Sequence, residues 1–401
     1  MLRRLPTSRL VALLAALVAA LGGGTALAMT ALGGTGPQPP AKPLAQALHD
    51  AAAGPAIQGV TARITFTNHL IDSSSLPGGG GSPLLSGATG RLWAANDGRL
   101  RLELQSDSGD AQIVSDGKVL SIFDATQNQV YRITLPRQDS SDPSGSADTP
   151  PTIAKIQQFL DGLTQDADVS GATPGNTAGR PSYTTRISPK HDGGLIGAAE
   201  LAWDAANGVP LRAAVYAAGN PNPVLELKAT DIAFGPVDAA NLNVAAPSGA
   251  KVTTVDLGDA GQHGSAADKK AGAGDPATDP KTVAKDLPFT LSAPDTLVGL
   301  PRHDVRPVDA GGGKAALVTY GAGLGGIAVL EEAAPSSAPA PSGGGGGDHQ
   351  LSLPKVSIGG VDGQELATAL GTIVRFERGG VQYTIIGSVP PAAAEAAARA
   401  L

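Results

Sequence analysis

The chain has 401 residues, a formal net charge of −7, 54 glycines, 32 prolines and no cysteine. That length holds two domains with linkers, each able to bury a core of its own. The acidic balance, with no basic stripe to release phosphate counterions, excludes a nucleic-acid partner, and the missing cysteine excludes disulfides, thiol catalysis and Cys-based metal sites.

Arg3, Arg4 and Arg9 precede an uncharged stretch over 10–33, with Ala26-Leu27-Ala28 as a peptidase site. This reads as an export signal. It is either cleaved or kept as a membrane anchor, since about 20 apolar residues span a bilayer, and the arginines place the body outside the cytoplasm in both cases. Residues 1–43 are therefore signal peptide or membrane anchor plus a Gly/Pro-rich tether.

A short helix is expected over 44–51, with Leu44, Ala47, Leu48 and Ala51 on one side. Strand patterning follows over 60–67, 90–94 and 100–104, where Leu100, Leu102 and Leu104 alternate with polar neighbours. An Asp116-Gly117 turn joins the run ending at Ser115 to strands over 119–123 and 130–135, which completes a β-meander. The polar stretch 136–151 reads as a surface loop. Thr152 is placed to cap a helix in which Ile153, Ile156, Phe159, Leu160 and Leu163 form a stripe that needs a sheet to cover. Further strands are expected over 183–187, 198–203, 211–216 and 224–232. The pattern predicts an α+β domain over 44–252, with helices across a large antiparallel sheet.

Residues 253–285 read as an interdomain linker, and 286–401 as a small α+β domain. In it we expect strands over 315–320 and 327–330, a loop over 333–348, a helix over 364–370, and a hairpin over 373–377 and 381–386 turned at Gly379-Gly380. Pro391 opens a terminal helix in which Glu395 and Arg399 pair.

With these residues in view the first domain resembles the lipoprotein carrier family LolA. The matching motifs are Gly90-Arg91-Leu92-Trp93, the alternating Leu100, Leu102 and Leu104, the turn from Val114 to Lys118, and Val237 to Val244 followed by Pro247-x-Gly249, which resembles that family's closing strand. The resemblance covers about half the chain. It implies a sheet curved into an open half-barrel lidded by helices, with an apolar cavity for lipid or lipoprotein acyl chains. The position of the family's basic residue falls near Asn96 or Asp97, with Arg99 and Arg101 the nearest cations. A large domain of this kind followed by a small one is also similar to the layout of RseB-type proteins, which implies a membrane protein partner, an anti-sigma factor, as the alternative.

For catalysis the sequence offers no constellation, so a non-enzymatic binding protein without cofactor or metal is expected. The six histidines lack metal-ligand spacing, and no nucleophile elbow occurs. Gly321-x-Gly323-x-x-Gly326 matches a dinucleotide fingerprint but joins two strand-like runs. Glu331-Glu332 reads as a solvated face, and Asp116 as a turn former. The candidate ligand-binding residues are Ile64, Phe66, Leu92, Leu100, Leu102, Leu104, Ile113, Ile122, Tyr131 and Ile133. By pattern alone they serve equally well as a filled core; the resemblance implies a cavity.

Overall fold

The computed structural model describes residues 36–71, 82–125, 128–134, 150–190, 194–244, 247–255, 279–310, 313–334 and 353–401. The export segment, most of the loops over 136–151 and 333–348, most of the linker, and His191, His263 and His349 lie outside them. By contact density the chain divides into two units: residues 1–69, 80–191 and 197–270 form the first, and 70–79, 192–196 and 271–401 the second.

The first unit holds α1 (Leu44–Ala53), β1 (Gly59–Asn68), α2 (Pro83–Ser86), β2 (Ala88–Ala95), β3 (Leu100–Ser106), β4 (Gly109–Ser115), β5 (Val119–Asp124) and β6 (Gln129–Thr134). After these come α3 (Ile153–Asp166), β7 (Ala167–Val169), β8 (Thr173–Thr177), β9 (Arg180–Pro189), β10 (Ile196–Asp204), β11 (Pro210–Ala217), β12 (Pro223–Phe234), α4 (Ala239–Leu242) and β13 (Lys251–Val255). The strands form one curved, unclosed sheet in the order β13-β6-β5-β4-β3-β2-β1-β12-β11-β10-β9-β7, with β8 on β9. The fold class is therefore α+β, an antiparallel sheet bent into an open half-barrel. β13 runs parallel to its neighbour, β6.

Local chemistry sets the turns. Asp116 Oδ1 accepts from the backbone N–H groups of Lys118 (2.8 Å) and Val119 (2.7 Å), and Gly117 takes φ +88°, so the Asp-Gly pair closes the β4–β5 hairpin. Thr152 Oγ1 caps α3 by accepting from Lys155 N–H. The stripe of α3 departs from expectation. Ile156 and Leu160 are buried, but Ile153 and Phe159 stay exposed, because α3 packs on α1 and the short edge strand β7 instead of lying flat on the sheet. Residues 237–244 are not a strand either. Asp238 accepts from Ala240 N–H and opens the one-turn helix α4, and the outer strand comes later, as β13.

In the second unit, α5 (Pro280–Ala284), β14 (Thr296–Leu297), β15 (Leu300–Ala310), β16 (Gly313–Tyr320), β17 (Ile327–Ala333), β18 (Lys355–Ile358), β19 (Val361–Thr368), β20 (Gly371–Arg378), β21 (Val381–Gly387) and α6 (Pro391–Ala400) follow in turn. Its sheet has the order β14-β15-β16-β17-β21-β20-β19-β18. The helix expected over 364–370 is strand β19. Its helix formers are overridden by pairing with β20, from Gly363↔Phe376 to Thr368↔Gly371. The hairpin turned at Gly379-Gly380 is present, and Gly321 to Gly326 joins β16 to β17 through a 3-10 turn. One face of this sheet, with α5 and α6, encloses a core around Val318, Ile327, Val329, Val374, Phe376 and Ile385.

Candidate functional site

Strand register fixes which side chains share a face. Ala62, Leu92, Leu102, Ile113, Ile122 and Tyr131 are successive partners across β1 to β6 and make one transverse row. Beside it runs Val60, Ala94, Leu100, Ser115, Leu120 and Ile133, and on the other side Ile64, Gly90, Leu104, Ala111, Asp124 and Gln129. Phe66, opposite Ala88, lies one step further on. Since side chains alternate with a period of two, all ten sequence-derived candidates stand on the same face.

They do not share one environment. Ile64 and Leu104 are buried in a cluster with Val60, Ala62, Ala111 and Ala229, and Phe66, Leu92 and Leu102 pack against it together with Leu84 of α2. Leu100, Ile113, Ile122, Tyr131 and Ile133 lie outside that cluster and remain half-exposed. At about 4.8 Å per strand, the central row spans roughly 24 Å of apolar surface from β1 to β6.

Over β9 to β11 the corresponding face is closed. Tyr183, Ile187, Leu201, Trp203 and Leu211 are almost fully buried, with the Tyr183 and Trp203 rings 6.1 Å apart. Residues 37–53 lie against this half. Tyr183 Oη donates to Pro40 O (2.6 Å), Asn176 Nδ2 donates to Pro37 O (3.0 Å), and the turn at Gly208 sits against the backbone of Ala51. A cavity of about 380 Å³ here is lined by Pro40, Lys42, Arg180, Tyr183 and Asp204. Both of its cations are matched by carboxylates, Lys42 with Asp50 at 2.6 Å and Arg180 with Asp204 at 2.7 Å.

The reverse face is mixed: Phe123, buried Val130 and a small cluster of Ala198, Ala214 and Tyr216 stand on it among charged side chains. Trp93 stands there, beneath the Arg101 guanidinium at 5.3 Å. Arg101 also pairs with Glu103 and donates to Asn241 O of α4 (3.3 Å). Arg99 pairs with Asp97 at 2.8 Å, and hydrogen bonding to Arg99 holds the Asp97 carboxyl below its ordinary range. Further across, Glu200 accepts from Arg186 (2.8 Å), Arg212 (2.6 Å) and Tyr216 (2.8 Å). Burial pushes the Glu200 pKa up, but these three donors outweigh it and the net shift is downward.

Sequence reasoning missed Leu120, Ser115, Asp124 and Gln129 on the apolar face. Leu120 follows the turn too closely to show alternation, and the three polar residues interrupt the pattern; Gln129 Nε2 donates to Thr253 Oγ1 (2.9 Å). The reading of Glu331-Glu332 as solvated is corrected. Glu332 is on the outer side of β17, whereas Glu331 is fully buried among the core residues of the second unit. His49 Nδ1 lies 2.9 Å from Pro151 O, which gives it a structural partner. No group of three or more metal-ligating side chains occurs among the described residues.

These features define an α+β protein with an open sheet whose one face is apolar across β1 to β6. No family model and no curated protein matches the chain. Among solved structures, it is similar to MucB in the MucA/MucB complex of Pseudomonas aeruginosa, with 17% identity, a TM-score of 0.40, and coverage of 88% of this chain and 96% of that one. A second structure, MucB in complex with MucA(peri), gives 16% identity, a TM-score of 0.39, and 88% and 94% coverage. A LolA superfamily protein from Nitrosomonas europaea gives 10% identity and a TM-score of 0.21, covering 51% of this chain and 99% of that one.

Proposed function

We propose that the chain is an exported, non-enzymatic binding protein whose first unit holds lipid, or the acyl chains of a lipoprotein, on the apolar face of β1 to β6. The observation that carries the reading is the unbroken row Leu92, Leu102, Ile113, Ile122 and Tyr131, aligned by register yet left half-exposed. A filled core would bury these side chains as completely as Tyr183 and Trp203 are buried. Each acyl methylene transferred to such a surface contributes about 0.8 kcal/mol. The test is organic extraction of the purified full-length protein followed by mass spectrometry, with uptake of a fluorescent fatty acid as a second readout. Recovered lipid and saturable uptake are expected; absence of both overturns the reading.

A second reading, a regulator that engages the extracytoplasmic segment of a membrane protein, is favoured by one feature of the reverse face. Arg63 and Arg91 stand directly opposite each other on β1 and β2, both exposed, and neither has an ion-pair partner among the described residues. Asp231 of β12 faces Arg63 and Glu103 of β3 faces Arg91, so the pair is the centre of a charged row that a polar partner segment can engage. Crosslinked pull-down from membranes separates the two readings: one stoichiometric protein supports the regulator, and lipid or many lipoproteins support the carrier.

A further inference from the structure

Glu331 is the most unusual ionisable group in the second unit. It lies on β17 between Ala316 of β16 and Tyr383 of β21, on the side of the sheet that forms the apolar core, and its exposure is 0%. Oε2 accepts from the backbone N–H of Ser292 (2.8 Å), while Oε1 has no partner among the described residues, nor has the hydroxyl of buried Tyr320. Ser292 belongs to an irregular segment, 286–295, whose Leu287, Phe289, Leu291 and Ala293 pack on the core.

Among the described residues no cation pairs with Glu331; Lys314 of β16 and Arg375 of β20 are exposed. The Tyr320 and Tyr383 hydroxyls face it from β16 and β21, and burial, followed by the Glu331 charge, pushes both of their pKa values up. Arg302 of β15 is taken by Asp295 at 2.8 Å, and Arg306 is taken by Asp304. Arg378 of β20 lies over the Phe376 ring at 5.2 Å, and Arg399 of α6 is taken by Glu395 at 3.0 Å. Lys281 is on the exposed side of α5. Glu365 of β19 is a second half-buried acid, pushed up by burial and by Glu395.

We propose that the second unit carries a proton-controlled latch, in which neutral Glu331 lets segment 286–295 seat on β17 and loss of that proton releases it. A carboxylate oxygen in an apolar core with no donor is costly, and a single N–H at the other oxygen offsets only part of that cost. Water reaches the charge when the irregular segment lifts, since the sheet's own hydrogen bonds hold the remaining sides.

Burial pushes the Glu331 carboxyl up to about 7, from an ordinary 4.5. Because the folded-state value lies above the unfolded one, the stabilisation is fully present below 4.5 and is lost as pH rises through about 7. Between pH values of about 5.5 and 8.5, opening of the segment becomes more favourable by on the order of 30-fold.

The test is hydrogen–deuterium exchange of the full chain at those two pH values, corrected for intrinsic rates, on wild type and Glu331→Gln. Peptides covering 286–295 are expected to lose protection at the higher pH in wild type and to keep it in the variant. Equal protection of wild type at both pH values, or a variant that follows wild type, overturns the latch. Should Glu331→Gln fail to fold, carbon-13 titration of the wild-type side-chain carboxyls decides the matter: a Glu331 midpoint near neutrality supports the latch, and one in the ordinary carboxylate range overturns it.

Discussion

Leu92 and Trp93 are neighbours in β2 that stand on opposite faces of the sheet, Leu92 in the apolar row opposite Leu102 and Trp93 in a polar row opposite Arg101. A one-residue slip of register would exchange the two faces. The pairing of β2 with β1 and β3 is continuous, and this pair of residues marks which face is offered to a ligand.

Introducing a charge into the central row separates binding from folding. Ile113 and Ile122 are half-exposed, so Ile113→Glu or Ile122→Glu is expected to lower stability by only about 1 kcal/mol. The same change desolvates a carboxylate against any bound acyl chain, and fatty-acid uptake is expected to fall at least about 10-fold. Arg91→Glu on the reverse face serves as the control and leaves uptake unchanged. Fluorescence titration of the three variants checks this.

Arg101 ties three groups together: the Trp93 ring, the Glu103 carboxylate and the Asn241 carbonyl. Arg101→Ala is expected to cost about 1–2 kcal/mol and to change the emission of Trp93. Both tryptophans lie in the first unit, so urea unfolding followed by tryptophan fluorescence reports that unit alone.

Glu200 supplies an acid-sensitive contribution. Its pKa is held below the ordinary 4.5 by Arg212, Arg186 and Tyr216, so the stability it gives is present above about that pH and disappears as pH falls through the lowered value. Glu200→Gln removes the carboxylate partner of Arg186 and one of the two on Arg212, which keeps Glu226, and is expected to cost about 2 kcal/mol at neutral pH. It should also flatten the acid limb of the urea midpoint against pH.

Gly90 cannot carry a side chain. A Cβ there would lie 1.9 Å from the backbone oxygen of Glu103, and a backbone atom paired into β3 cannot yield cheaply. Gly90→Ala is expected to destabilise the first unit by about 3 kcal/mol or more, which calorimetry on the purified variant measures.

The meander was legible because its signals are local. Alternating Leu100, Leu102 and Leu104, and an Asp-Gly pair between apolar runs, leave few other arrangements, and they also placed the ten candidate side chains on one face. Where the environment is set by distant pairing, the sequence misled. Residues 364–370 look helical until β20 pairs with most of them, and Glu331 beside Glu332 looks solvated until β16 and β21 flank it. The division of the apolar face into a closed half and a half-exposed one was equally hidden, because it depends on where residues 37–53 come to lie.

The central pairing of the large sheet joins β1 to β12, with Val60 opposite Phe234. Those partners are far apart along the chain, whereas β2 to β6 are joined only by short hairpins. Loop-closure entropy must be overcome before β1 gains its second neighbour, so folding of this unit is expected to be slow, with the hairpins forming early and the β1–β12 seam last. Until Phe234 is available, one edge of β1 is left as a bare template of N–H and C=O groups. A truncated or stalled chain is for that reason the species most prone to aggregate.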